Sequence, residues 1–302
     1  MKYYFFTTVI LFSILFLACS KDDSSSVLEN EKEEENLKYR LSKIDLNHAS
    51  KQPYYSSDLS FGYSDNGKID TIQIGGYIYK VSYPKESLIE LNLIEENISN
   101  VDLTESHKIY VKEGKVDYIS NLRVSKFSSG RVSTSSDSLH YFYDGGRLNK
   151  IEKFYNKKLD ASIDLLYKDG NIVKSTTLLP ILSHRHTSNY EYDSNPRIEL
   201  SDIKYESPIF KFTPLYYMFT YDKLGGQNKN NLRSISIDYD YVLENPQFEN
   251  IKYNHVLDKK TGLLNTIEHS GVAKCDSQER YPDFYPSRDF NDIKVTFEYE
   301  KY

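Results

Sequence analysis

The sequence predicts an all-β fold: an antiparallel meander of repeated hairpins forming a curved sheet or a soluble barrel. Three observations predict it. Aromatic and β-branched segments recur along the chain, clusters of Asp, Asn and Gly punctuate them at hairpin spacing, and few windows carry helical periodicity. The 302 residues include 28 Tyr and 15 Phe but no Trp.

The chain opens differently. Met1-Lys2 precedes an apolar run from Tyr3 to Leu17, then Ala18 and Cys19. That run is short of the ~20 residues a spanning helix needs and reads as an export signal over residues 1–18. Phe16-Leu17-Ala18-Cys19 resembles the lipobox of bacterial lipoproteins, with Phe where Leu is usual. Ser20, Lys21, Asp22 and Asp23 resemble the surface-export signal of Bacteroidota lipoproteins. The resemblance implies that Cys19 becomes an acylated N-terminus, holding the protein at the outer membrane with its domain exposed at the cell surface. Residues 20–36 carry seven acids against Lys21 and Lys32. So charged a segment, poor in apolar residues, is a solvated spacer, and 19–36 reads as a tether. The rest of the chain is nearly neutral and has no basic stripe, which excludes nucleic acid as a favoured partner.

Residues 37–302 read as a single β domain, long enough to bury a core without disulfides. The only cysteine besides Cys19 is Cys275, expected to be buried and inert. The hairpin unit is an aromatic strand, a turn with Asp, Asn or Gly, then a basic or polar residue and an aliphatic pair. Phe61-Gly-Tyr63-Ser-Asp-Asn-Gly67-Lys-Ile69 and Tyr141-Phe-Tyr143-Asp-Gly-Gly-Arg147-Leu148 are its clearest copies. Looser ones surround Tyr167, Tyr192, Tyr221 and Gly262. Asn66-Gly67 and Gly145-Gly146 supply the positive φ of tight turns. Leu88–Ile98 is read as strand. Ser207–Met218, with Phe210 and Phe212 alternating between prolines, reads as an edge strand. Aliphatic pairs such as Ile69/Ile72, Leu148/Ile151, Leu232/Ile235 and Leu264/Ile267 stand three apart. On a flat strand they point to opposite faces, so either a bulge realigns them or both faces are covered.

These turns resemble the tyrosine-aspartate repeats of RHS-type proteins. More closely, they resemble a family of Bacteroidota lipoproteins with a porin-like barrel fold. The resemblance implies the fold over roughly residues 60–302 and carries over no catalytic residue. Charged residues interrupt most segments after five to seven positions, against the ~9–11 of a membrane-spanning strand, so a water-soluble barrel or sheet is expected.

Signatures of chemistry are sparse. His184 and His186 share one face if extended, yet a metal needs further ligands, and neither metal nor cofactor is expected. Asp238 and Asp240 read as the solvent row of a strand. No nucleophile elbow, phosphate loop or calcium loop is present, so no catalytic residue is assigned. Tyr281, Phe284 and Tyr285 sit in a Pro-rich connection whose rings either stack on a sugar or partner surface or pack as a lid. The expected function is therefore a membrane-tethered domain that binds or scaffolds, with a glycan or envelope protein as partner. A glycan hydrolase is the alternative.

Overall fold

The structure, a computed structural model, describes residues 38–45, 58–96, 101–180, 184–201, 215–225, 228–240, 247–274 and 294–302. Lys38–Tyr302 forms one compact unit. Sixteen strands run in chain order: β1 (Tyr39–Asp45), β2 (Leu59–Tyr63), β3 (Ile69–Ile74), β4 (Tyr77–Lys85), β5 (Leu88–Glu96), β6 (Val101–Lys112), β7 (Lys115–Phe127) and β8 (Val132–Asp144). They continue as β9 (Arg147–Tyr155), β10 (Lys158–Lys168), β11 (Asn171–Leu179), β12 (His184–Pro196), β13 (Asn230–Asp240), β14 (Gln247–Leu257), β15 (Leu264–Lys274) and β16 (Lys294–Lys301). Each pairs antiparallel with its neighbours in sequence, and β1 pairs with β16, so the meander closes into a barrel with no free edge. Of the two expected forms, curved sheet or barrel, the chain adopts the barrel.

The strands are longer than the charge pattern suggested. β7, β8 and β12 each span 13 residues. Charged residues do not end strands here, because they alternate onto the outer face. Outward pairs such as Arg40–Glu300 at 2.6 Å, Lys80–Asp70 at 2.6 Å and Lys294–Glu268 at 3.3 Å cross neighbouring strands. Each exposed pair contributes little stability, ~0–1 kcal/mol. Their placement still decides the wall's polarity. Toward the short turns the inward face is apolar: one contiguous cluster of buried side chains draws on all sixteen strands, from Leu41 and Ile44 to Val295 and Phe297. A membrane-spanning barrel has the reverse arrangement, with an apolar belt outside and a polar lumen.

Bulges realign the aliphatic pairs. In β9, Leu148 lies opposite Tyr143 while Lys150 lies opposite Phe142, leaving Asn149 as the extra residue. Leu148 and Ile151 are consequently both buried. The same shift falls at Asp70 in β3, Asp117 in β7, Arg233 in β13 and Asn265 in β15. A polar residue is thus extruded where two aliphatic residues are kept inside.

The repeated tyrosines have a structural role tied to these bulges. At the short-turn end, covalent turns join β2 to β3, β8 to β9 and so on, leaving the intervening pairs unlinked. Tyrosine hydroxyls bond across those unlinked pairs. Tyr63 donates to the Leu41 carbonyl at 2.5 Å, Tyr83 to Ile69 at 3.0 Å, and Tyr143 to Val116 at 2.7 Å. Tyr192 donates to Ile172 at 2.8 Å and Tyr299 to Leu264 at 3.1 Å. In four of the five the acceptor is the first residue of a three-apart aliphatic pair; the position three past Ile172 is Ser175. The basic residue of the motif covers the next tyrosine's ring: Lys68 lies 5.0 Å from the Tyr83 centroid, Lys115 5.4 Å from Tyr143 and Arg147 5.6 Å from Tyr167. Burial pushes the hydroxyls of Tyr63, Tyr83 and Tyr299 up to about 12, so they remain neutral donors across ordinary pH. Tyr143→Phe keeps the ring but strands the Val116 carbonyl, and a loss of about 1–2 kcal/mol in urea unfolding is expected. An unchanged midpoint would remove the staple from the account of the fold.

The 215–225 segment is helical, not extended. Tyr217–Thr220 makes one α turn, α1, and Tyr221–Lys223 a 3-10 turn. The expected edge strand over 207–218 is therefore incorrect at its described end, and the expected hairpin at Tyr221 is absent; residues 202–214 lie outside the described set. Tyr216, Phe219 and Leu224 join the interior cluster, so these side chains fill the base of the barrel instead of pairing at an edge. The approach is close: a Cβ on Gly225, at φ +72°, would stand 2.2 Å from the carbonyl oxygen of Gly146 in the β8–β9 turn. Leu88–Ile98 is strand as expected, through Glu96.

Candidate functional site

Inward side chains change character along the strands. Next to the short turns they are aliphatic; farther along they are polar. Ile109 gives way to His107 and Glu105 on β6, Ile119 to Asn121 and Arg123 on β7, and Leu139 to Asp137 on β8. Glu105 and His107 are 6% and 3% exposed. A buried carboxylate survives only with partners, and Glu105 has several. Arg123 holds Oε2 through Nε at 3.1 Å and through its terminal nitrogen at 3.0 Å, and Asn121 donates to Oε1 at 3.2 Å. His107 Nε2 lies 3.1 Å from Oε1 but off hydrogen-bond alignment, so that contact is electrostatic. The other nitrogen, Nδ1, meets the Tyr216 hydroxyl at 2.5 Å. This contact ties the inserted segment to the wall.

Two carboxyls in this network are driven apart. Burial alone would raise Glu105, but His107 and then Arg123 outweigh it and hold the group below the usual carboxylate range. Asp137 goes up, first through burial and then through the negative charges of Asp160 and Glu105, against the pull of Lys153. Asn121 and Asp137 are opposite each other in register. The Oδ1 atom of each is buried without a protein partner among the described residues.

A second feature lies on the outer wall over β6–β9, where a groove of about 720 Å³ opens to solvent. Tyr110 and Tyr118 stack at 4.1 Å between centroids, Tyr118 and His140 at 5.7 Å, and Phe154 meets His140 edge-on at 5.2 Å. These four are brought together by strand register alone. Sequence reasoning missed them, because residues as far apart as 110 and 154 become neighbours only once the strands are paired. Tyr110, Tyr118 and His140 do occupy outward positions of segments readable as strands, which was the available signal.

The sequence-stated site residues fare unevenly, since Cys19, Ser20, Lys21, Asp22 and Asp23 lie outside the described residues, as do Tyr281, Phe284 and Tyr285. His184-Arg185-His186 begins β12, the extended form in which the two histidines share a face; His186 is buried on the inward face. Asp238 is on β13, as the strand reading required. Among the described residues no group of three or more His, Cys, Asp or Glu side chains is placed to hold a metal ion.

No protein-family model matches the chain, and no curated protein does. Solved structures do. A porin-like protein from Bacteroides vulgatus matches with a TM-score of 0.55 at 13% identity, over 86% of this chain and 98% of that one. A porin-like protein from Bacteroides uniformis matches with a TM-score of 0.50 at 15% identity, over 87% and 96%. At such identities the likeness is one of fold: the chain is built on the porin-like, sixteen-stranded barrel.

Proposed function

We propose that the protein is a lipid-anchored envelope protein whose barrel binds or scaffolds at the cell surface and neither spans the membrane nor conducts solute. The observation that carries this reading is the polarity of the barrel: ion pairs crossing the outer wall, and inside it an apolar cluster that draws on every strand. A wall of that kind is stable in water and offers no lipid-facing belt. Attachment then falls to Cys19, through acyl chains each worth ~0.8 kcal/mol per buried methylene, with the acidic 19–36 tether as spacer. A glycan or an envelope protein is the ligand class.

Cys19→Ala is expected to move the protein from the membrane pellet to the soluble fraction, while mass spectrometry of the unsubstituted protein finds an acylated residue 19. Retention of the substituted chain in carbonate-washed membranes would overturn the anchor. The alternative, a glycan hydrolase, draws on one observation, the carboxyls of Glu105 and Asp137 with opposite displacements. Glu105 is already occupied by Arg123 and Asn121, which favours a structural role. Turnover of a polysaccharide by the purified protein, lost in Glu105→Gln, would replace binding with catalysis.

A further inference from the structure

The outer groove departs from the chemistry of the rest of the wall. Elsewhere outward positions carry crossed ion pairs, as at Arg40–Glu300 and Lys80–Asp70. Over β6–β9 rings and small hydroxyls cluster beside the Lys108–Glu90 and Lys150–Glu152 pairs. The register sets out three rows: Tyr110, Tyr118, His140 and Glu152; then Lys108, Ser120, Ser138 and Phe154; then Ser106, Leu122 and Ser136. His140 and Phe154 line the groove, with Tyr118 stacked on His140 and Tyr110 on Tyr118 as a rim beyond it; the serines form a low floor, and Leu122, 48% exposed, is an apolar step within that floor. The far end is fixed by the β9–β10 turn. The Asn156 amide donates to the Ser136 carbonyl at 2.7 Å, and the Ser136 amide donates back to Asn156 Oδ1 at 2.9 Å. Asn156 and Lys157 are held at φ +46° and +68°, which keeps Lys157 at the groove's edge.

We propose that this groove is a binding site for an oligosaccharide; the proposal rests on the reading of the protein as a binding barrel and names the ligand of that function. A sugar chain alternates hydroxyls with C–H faces. Serine hydroxyls both donate and accept, matching the former, while Phe154, Leu122 and the tyrosine rim match the latter. Four strands at ~4.8 Å spacing set about 14 Å between Lys108 and Phe154, roughly the length of a trisaccharide. A protein partner fits less well, because serine and lysine are depleted at protein interfaces. The cross-strand stack and the bonded turn hold the groove in shape before binding, which lowers the ordering cost of association.

The test is calorimetric titration of the purified protein with neutral and uronic-acid oligosaccharides from trimer to hexamer, followed by the same titration of three variants. Tyr118→Ala removes the centre of the rim and is expected to weaken binding at least tenfold. Ser138→Trp fills the floor, giving up only the 3.2 Å hydrogen bond between the Ser138 hydroxyl and His140 Nε2, and is expected to abolish binding even if Tyr118→Ala perturbs the strand. Phe142→Ala removes an exposed ring on the same wall outside the groove and is expected to bind as the parent does. Near-ultraviolet circular dichroism checks that each variant is folded. Absence of binding by the folded parent across the panel overturns the proposal, and so does binding undiminished in both groove variants. Shortened oligosaccharides in the same samples would instead overturn the non-catalytic reading, leaving the groove's occupancy to be judged from the titrations.

Discussion

Leu148→Ala is expected to destabilise the protein by about 2–5 kcal/mol, because the removed carbons leave a cavity that a packed interior closes only in part. Leu148 is 0% exposed and lies in the cluster that joins all sixteen strands. It also sits beside the bulge at Asn149, so the backbone there has little freedom to collapse. Leu166 provides the comparison. It is 57% exposed on the outer wall, and Leu166→Ala is expected to change stability by no more than about 0.5 kcal/mol. Urea unfolding in detergent-free buffer measures both. The contrast tests the polarity of the barrel, since a wall facing lipid would make the outer leucine the costly one. Equal losses at the two positions, or failure of the parent to remain folded without detergent, would be incompatible with an apolar interior and a water-facing wall.

Arg123→Ala is expected to cost about 1–3 kcal/mol at neutral pH. Removing one partner of a fully buried ion pair costs ~3–5 kcal/mol, and the figure is reduced here because the Arg123 side chain is 44% exposed to screening solvent. Glu105 stays buried with the neutral donors Asn121 and Tyr79 and the nearby His107 to compensate it. The loss should depend on pH with a definite sign. A carboxyl held below its unfolded-state value stabilises the fold at neutral pH, and that contribution disappears as pH falls through the folded-state value. Without Arg123 the Glu105 carboxyl rises, so acid unfolding should begin at a higher pH than in the parent. Thermal melting across the acid range follows this shift. In a Glu105→Gln background the Arg123→Ala cost should largely vanish, because the two residues act as a unit. Persistence of the full cost would assign Arg123 a role independent of Glu105.

Much of the architecture was legible in the residues. Asn66-Gly67 and Gly145-Gly146 announced hairpins where β2 meets β3 and β8 meets β9. The three-apart aliphatic pairs announced an irregularity, and the bulges at Asp70, Asn149 and Asn265 are its cause. Strand length was misjudged, because lysines and acids were taken as breaks when they are the outward half of the alternation. The inserted segment was misjudged because Phe219 and Tyr216 fit a strand by propensity, whereas their burial in the barrel's base is a matter of which space remained to be filled. For the candidate site less could be read. The rings of Tyr110, Tyr118, His140 and Phe154 meet through the register of four strands.

What the sequence determined alone is local: the alternation that makes strands, the glycines and asparagines that turn them, and the signal, lipid-attachment cysteine and acidic spacer expected at the front of the chain. Periodicity and turn chemistry act over a few residues, so they can be read without a partner. Closure of β1 on β16, the direction in which the apolar face points, the tyrosine bonds to neighbouring strands and the groove over β6–β9 were decided only by the tertiary structure. Each depends on residues far apart in the chain arriving at one place, and that follows from the pairing of all sixteen strands together.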